Sequence, residues 1–489
     1  MPLVYLQYTA IVMSSPSPSR RHFFFGTLFS ATIPAAGFGS TASLTRLGYK
    51  SPNELLNIAA IGAGGKGNSD LAGCSTENIV ALCDVDDRRA SRPYAKYPRA
   101  ARYKDFRQML DREARTIDAV IIATPDHTHA VATLACMQLG KHVYTQKPLT
   151  RTIHEARQLT RAAAQYKVAT QMGNQGYSNE GARQCAELIW SGAIGPVREV
   201  HAWTNRPIWP QGFAEIPKPE PVPSGVDWNL WLGPAAPRPY SSAYMPWTWR
   251  GFYDFGCGAL GDMACHILGA PNMALLLGAP TSVECTHIEG RNGLTYPTRS
   301  ILRFDFPSRP AMPPVTLYWY DGIIDPPHRP AGISATEILG DIPRPPRTGP
   351  PPPPPPPGDI NAELDQRIDR LVNAGSNGSL FIGEKGMLTT GTYGEYTRLI
   401  PSERMKDFQA PAPLLTRSPG HYRDWIRACK GGDPACSNFS IAGPFTEWIL
   451  LGSLALRFPG KLEWDSANLR ITNNRAANAL LRPAGRKSW

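Results

Sequence analysis

The nine cysteines (Cys74, Cys83, Cys136, Cys185, Cys257, Cys265, Cys285, Cys429 and Cys436) include no C-x-x-C pair and no zinc-ribbon spacing. That argues against a zinc-ribbon framework. The odd, scattered count points to buried free thiols and not to a disulfide scaffold. Charged residues make up only 19% of the chain, and no run of Lys and Arg is interleaved with aromatics. The net charge of +11 therefore reads as a solvated basic surface, and nucleic acid is not an expected partner. Beyond the N-terminus no stretch approaches the ~20 apolar residues of a membrane span, and no repeat array is present. What remains is ample: 489 residues, 42% of them hydrophobic, enough for two domains with appendages.

The N-terminal stretch "SRRHFFFGTLFSATIPAAGFGSTAS" has no acidic residue and joins Arg20 and Arg21 to an apolar run of about 15 residues, the length of an export-signal core. It resembles a twin-arginine signal, with small residues at Ser40-Thr41-Ala42 for cleavage. Residues 1–42 are expected to be this leader and 43–54 a linker. The partner is then the twin-arginine translocase and the destination periplasmic or extracellular, or a membrane anchor if the leader is uncleaved. Initiation at Met13 gives the leader its most usual length.

From Leu55 the pattern changes. "LLNIAAIG", "NIVALCDVD", "IDAVIIATP", "KHVYTQKPL" and "KVATQMGNQG" are short apolar runs separated by helix-like segments such as Thr128 to Leu139 and Ile153 to Tyr166. That alternation predicts an α/β domain over residues 55–173, a doubly wound parallel sheet covered on both faces. Residues 174–475 form a second α/β unit in which "RSILRFDF" and "VTLYWYDG" alternate as antiparallel strands do. Within it, 322–358 is a proline-rich surface insertion ending in the rod Pro350 to Pro357. Residues 476–489 are a tail.

The loop Gly62-Ala-Gly64-Gly-Lys-Gly67 fits G-x-G-x-x-G at a strand-to-helix turn. Such a loop lets backbone approach a pyrophosphate at a helix N-terminus. Asp84 ends the next strand, where a carboxylate accepts hydrogen bonds from an adenosine ribose and repels a 2'-phosphate. NAD is therefore expected, with Arg88 and Arg89 keeping NADP open. Thr124, Pro125, Asp126 and His127 follow the third run, and Gln146 and Lys147 the fourth. Both groups belong to the rim where a doubly wound sheet binds its ligand. His127 and His129, two apart, do not share a helical face, so no metal site is expected.

"DFGCGALGDMACHI" sets Asp262 and His266 four apart among small and apolar residues. On a helix from Gly258 to Leu268 they share one face. A neutral histidine suits proton abstraction near pH 7, with the carboxylate orienting it. Trp203, Trp209, Trp228, Trp231, Trp247 and Trp249 offer faces on which sugar rings stack, or simply pack. Asn174, Gln175, Asn205, Arg206 and Arg250 offer groups that read hydroxyls, and Asn174 also falls on the cofactor side.

In order, "AAIGAGGKG", "ALCDVD", "IIATPDHTHA", "KHVYTQKPLT", "QMGNQG", "GCGALGDMACHI", "SLFIGEKG" and "GHYRDWIRACKGG" resemble the exported branch of the glucose-fructose oxidoreductase, inositol dehydrogenase and rhizopine-catabolism (Gfo/Idh/MocA) superfamily. The resemblance implies a Rossmann domain followed by an α/β domain with a large open, mainly antiparallel sheet, which forms the binding wall and the contact of a homo-oligomer. It implies that Lys147 is the lysine of E-K-P, near the reacting carbon, and that Asp262 and His266 are the D-x-x-x-H pair. Gln146 departs from the usual glutamate. The expected activity is NAD(P)-dependent oxidation or reduction of a secondary hydroxyl on a sugar, cyclitol or glycoside, with a tightly held cofactor. The alternatives are a redox-neutral NAD-dependent glycoside hydrolase and a non-catalytic sugar-binding relative.

Overall fold

The computed structural model describes residues 54–343, 353–356, 358–372, 376–483, 485–486 and 489, with side chains 370–372 left aside. The leader with Arg20 and Arg21, the linker up to residue 53 and half of the polyproline run lie outside the described residues. Among those described, no helix is long and apolar enough to cross a membrane.

The first sheet is built from β1 (Asn57–Ile61), β2 (Asn78–Cys83), β3 (Ala101–Tyr103), β4 (Ala119–Ile122), β5 (His142–Thr145) and β6 (Thr170–Met172). They lie in the order β3-β2-β1-β4-β5-β6, all parallel. The runs "AAI" and "AVII" are wholly buried because helices cover both faces. The strand order reverses between β1 and β4, which opens a crevice at their carboxyl ends. Strand β3 was not anticipated: it has three residues, none of them buried, so it carries no apolar pattern.

The second sheet has nine strands: β7 (Val197–Trp203), β8 (Ser282–Glu289), β9 (Arg299–Phe306), β10 (Val315–Asp321), β11 (Gly378–Gly383), β12 (Gly386–Thr390), β13 (Arg398–Ile400), β14 (Lys461–Asp465) and β15 (Arg470–Ile471). Only β7 and β10 pair in parallel. The expected alternation in β9 and β10 is present, and alternate residues of each are buried. On the buried side Phe304 and Phe306 meet Trp448 of helix Phe439–Ala455 edge-on, with ring centroids 5.3 Å apart.

The two halves interlock. Helix Phe439–Ala455 packs on helix Ile153–Tyr166 so closely that a Cβ at Gly443 would fall 1.8 Å from Thr160 Oγ1. Trp425 and Ile426, on helix His421–Cys429, join Leu56, Ile58 and Tyr144 in the core of the first sheet. All nine thiols are free, seven of them buried, as the cysteine spacing implies.

The proline-rich stretch does more than cross the surface. Leu339 packs under Trp203, Leu380 and Ile400. Past Gly358 the chain forms an unanticipated helix, Ile360–Val372, that lies against helix Asp87–Lys96 of the first domain.

Candidate active site

A cleft of about 800 Å³ runs along the carboxyl ends of the parallel strands, within the size of small-molecule sites. It starts at the glycine loop. Gly62 sits at φ +79°, a conformation that disfavours a side chain, and a Cβ at Gly67 would fall 1.9 Å from Gly62 O, so helix Lys66–Gly73 can begin directly on the turn. Gly64 N–H donates to Asp84 Oδ2 at 2.8 Å, and Asp86 N–H to Asp84 Oδ1 at 2.9 Å. Burial pushes the Asp84 carboxyl up to about 6, against those two hydrogen bonds. Neither neighbouring arginine is free: Arg88 chelates Asp86 at 2.9 and 2.8 Å, and Arg89 donates to Asn361.

Thr124, Pro125 and Asp126 line the next stretch of wall, with Asp126 pushed up to about 7 by burial against the pull of Arg250 and Lys147. His127 does not join them. Its ring faces Phe255 O at 3.3 Å and Trp231 O at 3.0 Å, outside the cleft lining, and burial pushes it down to about 3. His129 is likewise spent on Pro148 O and Thr124 O, both at 2.8 Å.

Lys147 reaches the far end of the cleft and donates to both Asp262 O and Asp262 Oδ1 at 2.7 Å. Arg250 Nε lies 3.4 Å from the same carboxylate and Arg206 Nε 3.8 Å. Burial alone would raise the Asp262 carboxyl, but Lys147, Arg250 and Arg206 outweigh it and hold it well below the usual range. Here the structure corrects the expected geometry. The segment is not one regular α-helix: Leu260–Ala264 forms a π-turn before Cys265–Ile267, and Asp262 and His266 both line the cleft without a hydrogen bond between them. Asp262 is committed to the cations, and His266 Nδ1 is buried with no hydrogen-bond partner. Burial first, then the charge of Lys147, keeps the His266 imidazole neutral far below its ordinary value.

Asn174 and Asn205 also lie outside the lining. Asn174 accepts from Ser437 and donates to Cys265 O at 3.4 Å, so it ties down the turn that carries His266. Asn205 accepts from Arg206 beside it, and its backbone N–H donates to Asn377 Oδ1 at 3.0 Å. Arg206, Trp249 and Arg250 do line the cleft, the Arg250 guanidinium 4.3 Å from the Trp249 ring centroid. Trp209, Trp231 and Trp247 join them, whereas Trp228 stacks on Trp231 and Trp203 is buried beneath the insertion. Sequence reasoning missed Tyr393, which meets His266 edge-on at 4.8 Å, and Leu364, Asp365 and Ile368 of the insertion helix. It also missed Asp70, which is fully buried and receives Gln146 Nε2 at 2.8 Å and Tyr422 Oη at 2.7 Å.

These residues suit a dinucleotide. Besides the loop and Asp84, the cleft wall holds three buried polar atoms with no protein partner: Thr124 Oγ1, Trp247 Nε1 and His266 Nδ1. Among the described residues one trio has metal-ligating chemistry, Glu199, His201 and His328. None of it lines the cleft; His201 spends its nitrogens on Glu199 at 2.6 Å and Tyr320 at 2.9 Å, and its ring stacks on His328.

Fold and cleft together define a two-domain protein with a dinucleotide-binding half. Two family models match the chain: "Oxidoreductase family, NAD-binding Rossmann fold" over residues 56–174 and "Oxidoreductase family, C-terminal alpha/beta domain" over residues 196–294. Over these residues the chain matches the Gfo/Idh/MocA oxidoreductase family. Among its relatives, inositol 2-dehydrogenase of Rhodococcus erythropolis is 30% identical over 168 residues, 33% of this chain and 48% of that protein. A glycosyl hydrolase family 109 protein of Solibacter usitatus is 31% identical over 135 residues, 25% of this chain and 30% of that one. The chain thus spans less than half the length of these curated relatives. Among solved structures, the WlbA dehydrogenase of Bordetella pertussis, in complex with NADH and UDP-GlcNAcA, superposes with a TM-score of 0.54 at 14% identity, covering 84% of this chain and 99% of that one. Aldose-aldose oxidoreductase of Caulobacter crescentus gives 0.52 at 16% identity, with 84% and 100% coverage. At these identities the superpositions establish the fold.

Proposed function

We propose that the protein is an NAD-dependent dehydrogenase acting on a secondary hydroxyl of a sugar or cyclitol. The observation that carries this reading is the end of the cleft, which the Lys147–Asp262 ion pair lines together with the neutral imidazole of His266, whose Nδ1 has no hydrogen-bond partner. Bound NAD supplies the hydride acceptor. The ammonium of Lys147, fixed by two contacts to Asp262, is placed to hydrogen-bond the reacting hydroxyl and to stabilise negative charge that grows on its oxygen. His266, kept neutral, takes the hydroxyl proton. Its burial and the nearby ammonium make the imidazolium costly, so the proton is released to solvent through the cleft that His266 lines. Asp262 positions Lys147 and does not orient His266. Arg206, Arg250, Trp209 and Trp249 form the wall for a polyol, with indole faces for C–H surfaces and guanidinium donors for hydroxyls. The named substrates of the relatives, inositol and aldoses, support this class.

The test is to denature the purified protein, identify any released nucleotide, and offer cyclitols and aldoses singly and in pairs while following NADH absorbance. No reduction with any of them overturns the reading. The Solibacter relative supports a second one, redox-neutral cleavage of a glycoside; release of a chromogenic aglycone without net NADH identifies it. Export through a twin-arginine route belongs to this proposal and rests on Ser19, Arg20 and Arg21. Export that survives Arg20→Lys with Arg21→Lys overturns it. Assembly into a homo-oligomer through the nine-stranded sheet is likewise proposed, and a monomer in light scattering overturns it.

A further inference from the structure

The helix that follows the proline-rich insertion forms part of the cleft. Its N-terminus is capped by Asp359, whose Oδ1 accepts from Asn361 N–H and Ala362 N–H, each at 3.0 Å. The next contacts all reach across to the dinucleotide domain. Asn361 is buried, 3% exposed, and its Nδ2 donates to Arg88 O at 3.0 Å while its Oδ1 accepts from Arg89. Arg89 is the side chain that lies over the glycine loop: a Cβ at Gly65 would fall 2.5 Å from its guanidinium. One turn further on, Leu364 is buried against Trp209 and Trp247, and Ile368 packs on the same pair. Leu364, Asp365 and Ile368 line the cleft along with Asp84, Gly64 and Gly65. The exposed Arg92–Asp365 pair, at 2.6 Å, adds little. The attachment therefore consists of one buried carboxamide and an apolar turn, which span the cleft from the ribose-binding carboxylate to the tryptophan wall.

We propose that helix Ile360–Val372 is a clasp over the adenosine end of the cofactor site, in which Leu364 covers the dinucleotide and Asn361 is the positioning residue that holds Arg89 over the glycine loop. The proposal rests on the dinucleotide reading and deepens it: the helix that follows the surface insertion sets how slowly the cofactor leaves. Burial of an apolar turn over the ligand acts on the dissociation rate, because the turn must lift before the dinucleotide can exit. Asn361 acts on the same step by keeping Arg89 and the helix in register.

The test uses the full chain and measures NADH release by stopped-flow fluorescence, with the affinities of ADP-ribose and nicotinamide mononucleotide measured alongside. Asn361→Ala and Leu364→Ser should each speed NADH release by about tenfold, the worth of one buried hydrogen bond or apolar contact. Glu363→Ala, on the exposed side of the helix, should not. ADP-ribose should weaken in parallel while nicotinamide mononucleotide is unchanged, a split that general loosening of the fold does not produce. In the wild type, backbone amides of residues 360–369 should gain protection from hydrogen exchange when NAD is added, a measurement that holds even if a variant fails to fold. Unchanged release from both folded variants, equal weakening of both half-ligands, or no change in protection overturns the clasp. A wild type that binds neither NAD nor ADP-ribose overturns the dinucleotide reading together with it.

Discussion

Gln146 donates its side-chain amide to the buried carboxylate of Asp70 at 2.8 Å. The pair accounts for the departure at this position. A glutamate in place of Gln146 would set two carboxylates in hydrogen-bond contact in a site closed to water, where one of them must stay protonated. The carboxylate of this corner is instead carried by Asp70, one turn into the helix that follows the glycine loop, and is held there by Lys66, Tyr422 and Gln146.

The pair predicts a swap. Gln146→Glu should lower stability by about 1–3 kcal/mol, the cost of a buried polar contact turned unfavourable. Asp70→Asn alone takes the carboxylate away from Lys66 and Tyr422 and should also destabilise. The double variant, with the charge moved across the contact, should recover most of the Gln146→Glu loss in a denaturant titration. Strictly additive losses would show that the two side chains do not interact.

For the chemistry, His266→Asn should lower turnover by about 10²–10⁴ with the affinity for NAD unchanged, the usual worth of a positioned base. Lys147→Ala should cost as much, and Asp262→Asn should resemble Lys147→Ala because Asp262 holds that ammonium. Steady-state rates with saturating NAD check this. Near-normal turnover in His266→Asn removes the base assignment.

Two pH effects have separate origins. Burial and Lys147 depress His266, so its neutral, proton-accepting form persists as pH falls, and the acid limb of kcat should lie well below the ordinary histidine value of about 6.5. Lys147→Ala removes a charge that disfavours imidazolium, so any activity left should show that limb at higher pH. NAD affinity should behave differently. Asp84 is raised to about 6, so it loses its charge as pH falls through that value, and with it the capacity to accept from both ribose hydroxyls. Equilibrium titrations on either side of pH 6 should show weaker binding on the acid side.

Cofactor choice should resist a single change. Asp84→Ser should weaken NAD about tenfold. It should not create a preference for NADP, because Arg88 is chelated by Asp86 and Arg89 is engaged by Asn361. Combining Asp84→Ser with Asn361→Ala frees Arg89 and should shift the ratio of NADP to NAD affinity further than Asp84→Ser does. Direct titration of both nucleotides decides it.

The dinucleotide half was legible because its determinants are local. Buried parallel strands read as apolar runs, the glycine loop is contiguous, and Lys147 follows its strand directly. The failures are equally physical. The π-turn at Leu260–Ala264 has no periodic signature, and the spacing of Asp262 and His266 does not say that the carboxylate is spent on Lys147 and Arg250. His127 sits at the rim in sequence, but its side chain turns to two carbonyls that belong to residues far along the chain. The insertion helix follows a proline run that reads as a surface rod, and nothing local says that its apolar side meets Trp209 and Trp247. The pairing of Asp70 with Gln146 and Tyr422 is long-range in the same way.

That last contact fixes an order of events during synthesis. Asp70 and Tyr422 are 352 residues apart, and Trp425 fills the core of the very first sheet to emerge. At ribosomal speeds of roughly 5–20 residues per second, the nucleotide-binding half waits for tens of seconds before the residues that complete its interior exist. A nascent chain stalled in that interval leaves the places of Trp425 and Ile426 in the core of its first sheet unfilled, with apolar side chains such as Leu56 and Ile58 open to water.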